Sequence, residues 1–564
     1  MSHMTSAIAS ERTFPSLRAL RTTQRAPKSC RNCAARKVRC DKSIPCSRCI
    51  KRGEADSCGR ETVIVRGQAT TRSDDVGTLT YDELARENTR LREALSEAND
   101  PVQSSHHQAL PPTDDDYYEG AFFRASIAPT HQPAILMTEI DVLLPSISCS
   151  SALIEHDEKW NSWVHYALEY PKFAQEHMQF LSDIQNGISL GSMEASWLAI
   201  YFAVIAATLL VMSEECASDL DLPTDDVRDV QRNWYNASLY FLHKADFLRH
   251  PRIHTVQAIA IQGILYVNAG DWELYRTMWA CAIRISQMIG LTRSQSAITE
   301  LSQEAQHRLW WTIVICDWMG GGPTSSLLRE EDFDVPLPTV TEEGSIRTSN
   351  RNQIHPVQYH IFMSRTARAH QRFRRALRHS HKTKLEAVRA ADEELADLID
   401  TLPSHLQPDI GGAELISDLE RRLPWIRWQR VDATLVLLYH RLCLHRILQK
   451  DWLQEPVTFA SARAVSIKTA KDIIWISQNW ELPVNERRQW PFAMYLFCAG
   501  LLLLREAQHG LLDDEPDWVS EVEKCISYLD QISSWNAIAD QASDILRQLL
   551  DEAKCHRFSL PFAT

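Results

Sequence analysis

The chain has 564 residues, and 44% of them are hydrophobic. That length exceeds one ordinary core, and that apolar share excludes a mostly disordered protein. A net charge of −13 argues at first against a polyanion as partner.

The distribution of the charge reverses that reading. Residues 21–66 carry 13 Lys/Arg against 4 Asp/Glu, an excess of +9, which leaves −22 for the rest. A small basic head on a large acidic body puts a polyanion contact at the head. Cysteine follows the same asymmetry, with six of 14 between Cys30 and Cys58. No secretory signal is legible, so a reducing compartment is expected, where clustered cysteines bind metal rather than pair. Cys149, Cys216, Cys281, Cys316, Cys443, Cys498, Cys525 and Cys555 are expected to be buried thiols.

In chain order, residues 1–27 read as a disordered basic N-terminus, 28–60 as the cysteine module and 61–79 as a polar linker. Residues 80–98 carry heptads. Tyr81, Asn88 and Leu95 fall at position a, and Leu84 and Leu91 at d. A buried Asn at a favours a parallel two-stranded coiled coil, so these five residues are the expected seam of a homodimer. Residues 99–132 mix Asp114, Asp115 and Asp116 with Tyr117, Tyr118, Phe122 and Phe123, and read as a disordered acidic linker.

From 133 to 564 apolar residues recur with helical spacing, as in Ala258, Ile261 and Leu265. Expected helices include 158–184, 193–213, 225–248, 254–268, 271–289, 301–319, 352–377, 384–401, 419–449, 458–480, 487–507 and a broken 516–552. The uncharged run Trp197–Met212 is too short to cross a bilayer and is expected to be a buried core helix.

The cysteine spacing is Cys30-x2-Cys33-x6-Cys40-x5-Cys46-x2-Cys49-x8-Cys58. A structural zinc takes four thiolates in a tetrahedron. Six thiolates serve one zinc with two left over, or two zincs if two sulfurs bridge. The two-zinc arrangement satisfies every sulfur and is the expected one. The spacing, with Arg36-Lys37-Val38-Arg39 before Cys40 and Pro45 between the halves, resembles the fungal binuclear zinc cluster family, Zn2Cys6.

The resemblance implies two Zn2+ ions, with Cys30 and Cys46 bridging, Cys33 and Cys40 completing one site, and Cys49 and Cys58 the other. It implies double-stranded DNA as partner and a CGG triplet read by the basic residue four positions after the second cysteine, here Lys37. Lysine can donate to the O6 and N7 acceptors of guanine. Arg36 is expected to assist, and Arg39, Arg31 and Arg48 to contact phosphates.

Residues 307–338, with Arg308, Trp310, Trp311, Asp317, Pro323, Asp334, Val335 and Pro336, resemble the family's fungal-specific transcription factor domain, or middle homology region. Gly320-Gly321-Gly322 departs from that outline. The resemblance implies an all-helical regulatory domain answering to a small-molecule effector or a co-regulator. The expected fold is mostly α: a small binuclear zinc-cluster module, a short parallel coiled coil and a large all-α helical regulatory domain.

No phosphate loop, nucleophile elbow or His-Glu-x-x-His pair occurs, so no enzyme is expected. His440, Cys443 and His445 do not converge from one helix. His370, His379 and His381 read as a solvated basic stretch. The expected protein is a nuclear, sequence-specific regulator of RNA polymerase II transcription, binding CGG-type half-sites as a dimer. The alternative is a structural chromatin or centromere DNA-binding protein without activation function.

Overall fold

The computed structural model describes residues 28–60 except 56, the backbone of 63–65 and 68–70, and residues 137–559. Within the last stretch, 321–325, 341–345, 348–352, 380–382, 408–419, 424, 481 and 510–516 are outside the description. The chain divides into two compact units, residues 1–108 and 109–564.

The first unit holds two five-residue helices, α1 (Arg31–Ala35) and α2 (Ser47–Lys51). Strands β1 (Val63–Val65) and β2 (Gln68–Thr70) pair antiparallel, a short hairpin inside the stretch read as a linker. The seam residues Tyr81, Leu84, Asn88, Leu91 and Leu95 lie outside the described residues, as does the acidic segment 99–132.

The second unit is helical. Its elements are α3 (Ile147–His156), α4 (Ser162–His165), α5 (Tyr170–Gln185), α6 (Ala195–Val211), α7 (Glu214–Ser218), α8 (Val227–Lys244), α9 (Ile253–Asn268), α10 (Trp272–Ile289) and α11 (Gln303–Met319). A two-residue pairing of β3 (Ile346–Arg347) with β4 (Gln353–Ile354) follows. Then come α12 (Val357–His379), α13 (Lys384–Asp400), α14 (Trp425–Arg446), α15 (Gln449–Gln454), α16 (Ala460–Asn479), α17 (Trp490–Gln508), α18 (Trp518–Asp530) and α19 (Ala537–Ser559).

One continuous core runs from Val142 to Ala553. At its centre α6, apolar on every face, buries all of its residues except Ala195 and Trp197 and packs against α8 and α9. Helix α17 is long and apolar enough to cross a membrane, but 78% of its apolar window is buried inside the unit.

The expected helix 158–184 is broken. A π-helical turn spans Asp157–Asn161, Tyr166 takes φ 42°, and α5 starts only at Tyr170. Tertiary partners take up the groups that the break frees. Thr312 Oγ1 donates to the His165 carbonyl at 2.9 Å, and Gln257 Nε2 to that of Ala167 at 2.7 Å. Asp157, fully buried, accepts the Tyr170 hydroxyl. The expected helix at 352 likewise starts at Val357, because the residue before Pro356 is held extended and Gln353–Ile354 pairs as a strand. Of the scattered cysteines, Cys149, Cys498 and Cys525 are buried, whereas Cys216 and Cys555 are exposed because they sit on outer helix faces.

Arg488 ties distant parts together. It is 3% exposed, and its Nη1 donates to the carbonyls of Leu210 (3.3 Å) and Met212 (3.2 Å) at the end of α6. Its Nη2 donates to Glu214 at 2.9 Å, and its guanidinium lies 4.2 Å from the ring centroid of Trp535. Its own carbonyl accepts from Asn268 Nδ2 (2.6 Å) and Asn536 Nδ2 (3.1 Å). A helix C-terminus leaves its last carbonyls without intrahelical partners, and a buried one without a donor costs about 1–3 kcal/mol. Arg488→Met should therefore lower stability by roughly 3 kcal/mol. A thermal midpoint of the full chain unchanged by the substitution would refute this bracing role.

Candidate metal centre and nucleic-acid interface

The two halves of the cysteine module are built alike. Cys30 precedes α1 with φ −65°, ψ 153°, and Cys46 precedes α2 with φ −78°, ψ 152°. Each helix then brings a second cysteine, Cys33 or Cys49, back over the first on its opening turn. The Cys33 N–H lies 3.4 Å from Cys30 Sγ. Cys40 and Cys58 close the two halves, and Ile44–Pro45, between them, is a cis peptide.

All six cysteines are buried and none is paired as a disulfide. Sγ of Cys30 lies 3.8 Å from those of Cys46 and Cys49, and Sγ of Cys33 lies 3.6 Å from that of Cys46. A tetrahedral zinc with Zn–S bonds of about 2.3 Å has S···S edges of about 3.8 Å. Cys30, Cys33, Cys46 and Cys49 fall within 4.8 Å of one another, and Cys40 within 4.8 Å of Cys46. Cys58 Sγ accepts the Cys46 N–H at 3.2 Å. Cys30 and Cys46 are thus the central sulfurs, with the other four around them.

Their acidities are pulled apart. The Cys49 backbone N–H is the largest influence on Cys46, whose thiol is held down to about 6. Burial pushes Cys33 up to about 12 and raises Cys49 as well. Thiols this close cannot all ionise beside one another unless a cation compensates them, and zinc is the cation suited to thiolates at this spacing. Among the described residues of the module, Val38 is the one hydrophobic side chain that packs on the six cysteines, partly buried.

Asp41, which the sequence reading passed over, organises the loop between the halves. It accepts Ser47 N–H, at the start of α2, at 2.8 Å and Ser43 N–H at 3.2 Å, and the Ser47 hydroxyl and N–H, with the Ser43 hydroxyl, hold its carboxyl down to about 2. The signal was legible as an acidic residue two before a serine, the pattern of an Asx turn. Glu54 was also missed. Its two oxygens accept from both Arg36 Nη atoms, at 2.7 and 2.6 Å. Such forked pairing leaves no sequence signal, because the partners are 18 residues apart.

The basic residues divide accordingly. Arg31, Arg36, Lys37, Arg39 and Arg48 are all exposed. Lys37 stands just past the end of α1 with φ 52°, so its side chain leaves at the helix C-terminus. Among the described residues, the side chains of Arg31, Lys37, Arg39 and Arg48 have no hydrogen-bond or ion-pair partner, whereas Arg36 has Glu54.

In the helical unit, Trp311 Nε1 donates to the Pro336 carbonyl at 2.7 Å and Trp318 Nε1 to that of Leu328 at 3.1 Å. Asp317 accepts the N–H groups of Leu327 and Leu328 at 3.0 and 2.9 Å, and Asp334 that of Ser294 at 2.9 Å. Arg308 lies 5.5 Å from the Tyr166 ring centroid. The motif residues thus lash the loop after α11 onto that helix. Gly320 is required there, because a Cβ would stand 2.5 Å from the Tyr275 hydroxyl. Pro323 lies outside the described residues.

His440 and His445 do not meet at a metal: His440 packs on His370 at 4.8 Å between ring centroids, and His445 Nε2 lies 3.5 Å from Asp392. His370, expected in solvent, is instead half-buried against His440 of α14, and desolvation drives its pKa well down. Among the described residues, groups of three or more metal-ligating side chains occur only in the cysteine module.

A sulfur-built, metal-ready head with exposed basic side chains and a large helical unit in one chain are the parts expected of a DNA-binding regulator. Residues 28–63 match the profile of the fungal Zn(2)-Cys(6) binuclear cluster domain, and residues 159–402 that of the fungal specific transcription factor domain. Among curated proteins, the chain is similar to the agnestins biosynthesis cluster transcription factor AgnL11 of Paecilomyces divaricatus. They are 21% identical over 93% of this chain and 85% of that protein. It is also similar to the aurofusarin cluster transcription factor aurR2 of Gibberella zeae, 25% identical over 51% of this chain and 44% of that protein. The chain thus carries a Zn2Cys6 binuclear cluster domain and a fungal specific transcription factor domain, matching a Zn2Cys6 fungal transcription factor, and the cluster domain indicates a zinc-binding, DNA-binding head.

Because the module has so little apolar core, removing zinc should unfold it. Treating the full chain with 1,10-phenanthroline should abolish DNA retention while leaving far-UV helicity nearly unchanged, since the module holds only two five-residue helices. DNA retention that survives complete metal removal would contradict a zinc-built head.

Proposed function

We propose that the chain is a nuclear, pathway-specific regulator of RNA polymerase II transcription that reads CGG-type half-sites as a homodimer. Two zinc ions are held by Cys30, Cys33, Cys40, Cys46, Cys49 and Cys58, with Cys30 and Cys46 shared. The central position of those two sulfurs supports this division. The names of its relatives place them in biosynthetic gene clusters, and we extend that class of target to this chain.

The observation that carries the reading is Lys37, exposed and without a partner among the described residues at the C-terminal end of α1. From there its ammonium donates to guanine O6 and N7 in the major groove. Arg31, Arg39 and Arg48 contact phosphates and hold the register. Arg36 acts through its forked pair with Glu54, which braces the end of α1 and positions Lys37. Residues 80–98 pair two chains, and residues 61–79 set the distance between half-sites. The helical domain beyond 133 regulates output.

Selection from random duplexes by the full chain, across a salt series, tests this. Paired CGG-like triplets at fixed spacing are the expected outcome. Lys37→Ala should lose about 1–3 kcal/mol of discrimination at one base position. Arg39→Ala should weaken all sequences alike and flatten the log K against log salt slope by about one. Failure to enrich any sequence would sink the reading.

Leu84→Ala with Leu91→Ala should convert the chain to a monomer in analytical ultracentrifugation and leave single triplets selected without fixed spacing. A chain that is still dimeric would move dimerisation to another element.

A further inference from the structure

A cavity of about 210 Å³ lies inside the helical unit, walled by α4, α9, α10, α11, α12, α14 and α17. An apolar cavity of about 150 Å³ holds a benzene molecule, so this one has room for a larger ring body. Packing alone does not keep it open by accident of one residue. Gly263 and Gly320 both line it, and a Cβ on either would stand within 3.0 Å of Trp279 or Tyr275, the aromatic side chains beside them.

Its chemistry is lopsided. Asp432 lines it and accepts the hydroxyl of Tyr359. Tyr439 and Tyr495, with ring centroids 5.1 Å apart, line the same space, and the Asp432 charge is felt at Tyr495. No lysine or arginine is among the described residues of the wall. Of the two histidines of that wall, His440 is held neutral by burial, with its pKa near 4, and His165 Nε2 lies 3.7 Å from the buried Asp157. Burial raises the Asp432 carboxyl to about 6, opposed by the hydrogen bond that it accepts from the Tyr359 hydroxyl.

A carboxylate enclosed in this way is costly unless a cation joins it. Aromatic faces around it favour the same guest, since their quadrupoles attract a positive charge once water is excluded. An anion would meet the Asp432 carboxylate with only neutral donors of the wall, such as Trp279 Nε1 and Gln489 Nε2, to offset it.

We propose that this cavity is an effector site for a hydrophobic amine: one protonated nitrogen paired with Asp432, carried on a flat apolar body of one or two rings. The tyrosines hold the nitrogen, and the methionines of the wall, Met319, Met363 and Met494, adapt to the ring body. The site lies within the helical unit, and its occupancy is read without DNA.

Three probes of one shape test the assignment: 1-naphthylmethylamine, 1-naphthalenemethanol and 1-naphthoate, titrated into the zinc-loaded full chain by calorimetry. The amine should bind one per chain, at least tenfold tighter than the alcohol, and the naphthoate most weakly. Asp432→Asn, which keeps the shape and the Tyr359 partner, should bring the amine to the alcohol's affinity and leave the alcohol unchanged. Met363→Trp, which fills the cavity, should abolish binding of both. If neither variant folds, the order of the three probes on the unaltered chain still decides. Alcohol binding as tight as amine binding, amine binding unaffected by Asp432→Asn, or no probe bound at all would each overturn the proposal.

Discussion

Six thiols gathered within a few ångströms of one another cannot be a resting arrangement of cysteine alone. The sulfur pairs Cys30–Cys46, Cys30–Cys49 and Cys33–Cys46 lie 3.6–3.8 Å apart, too far for disulfides and at the edge length of a zinc–thiolate tetrahedron. Every other feature of the head follows from that constraint. Two helices of five residues have too few hydrogen bonds to persist on their own, so they exist because their first turns carry pairs of metal-ready sulfurs. The surface of the module is then free of packing duties, which is why its basic side chains stand exposed.

The helical unit solves the opposite problem. Its core is large and continuous, and polar side chains do the joining. Arg488 and Asn268 bridge segments more than 200 residues apart by satisfying carbonyls that helix ends and turns leave open. The loop after α11 is fastened in the same way, through Asp317, Trp311 and Trp318. A carboxylate with no cationic side chain beside it in the wall, Asp432, faces the cavity among aromatic rings and accepts the Tyr359 hydroxyl, against the general rule that buried charges are paired with opposite charges. Departures from that rule cluster where a protein binds something.

The helices read best where apolar spacing ran unbroken. The run from 197 to 212 was legible as a buried helix because an uncharged segment of that length has nowhere else to go. The stretch from 158 to 184 was misread as continuous. Its break depends on Thr312, Gln257 and Thr208, whose hydrogen bonds come from helices far along the chain. Local propensity carries no trace of such partners. The partial burial of His370 was hidden for the same reason: a histidine among arginines looks solvated until α12 packs on α14.

By itself the sequence determined the sulfur framework, the charge asymmetry, the basic run before Cys40 and the helical character of the rest. Each is a matter of spacing or composition along one strand of chain, and those survive without coordinates. Tertiary structure decided what depends on residues far apart meeting: that Cys30 and Cys46 are the central sulfurs, that Arg36 is held by Glu54 while Lys37 is not, and that Asp432 faces a cavity among tyrosines from three helices. A hydrogen bond or a counter-charge acts over a few ångströms, and only the fold brings such groups within that range.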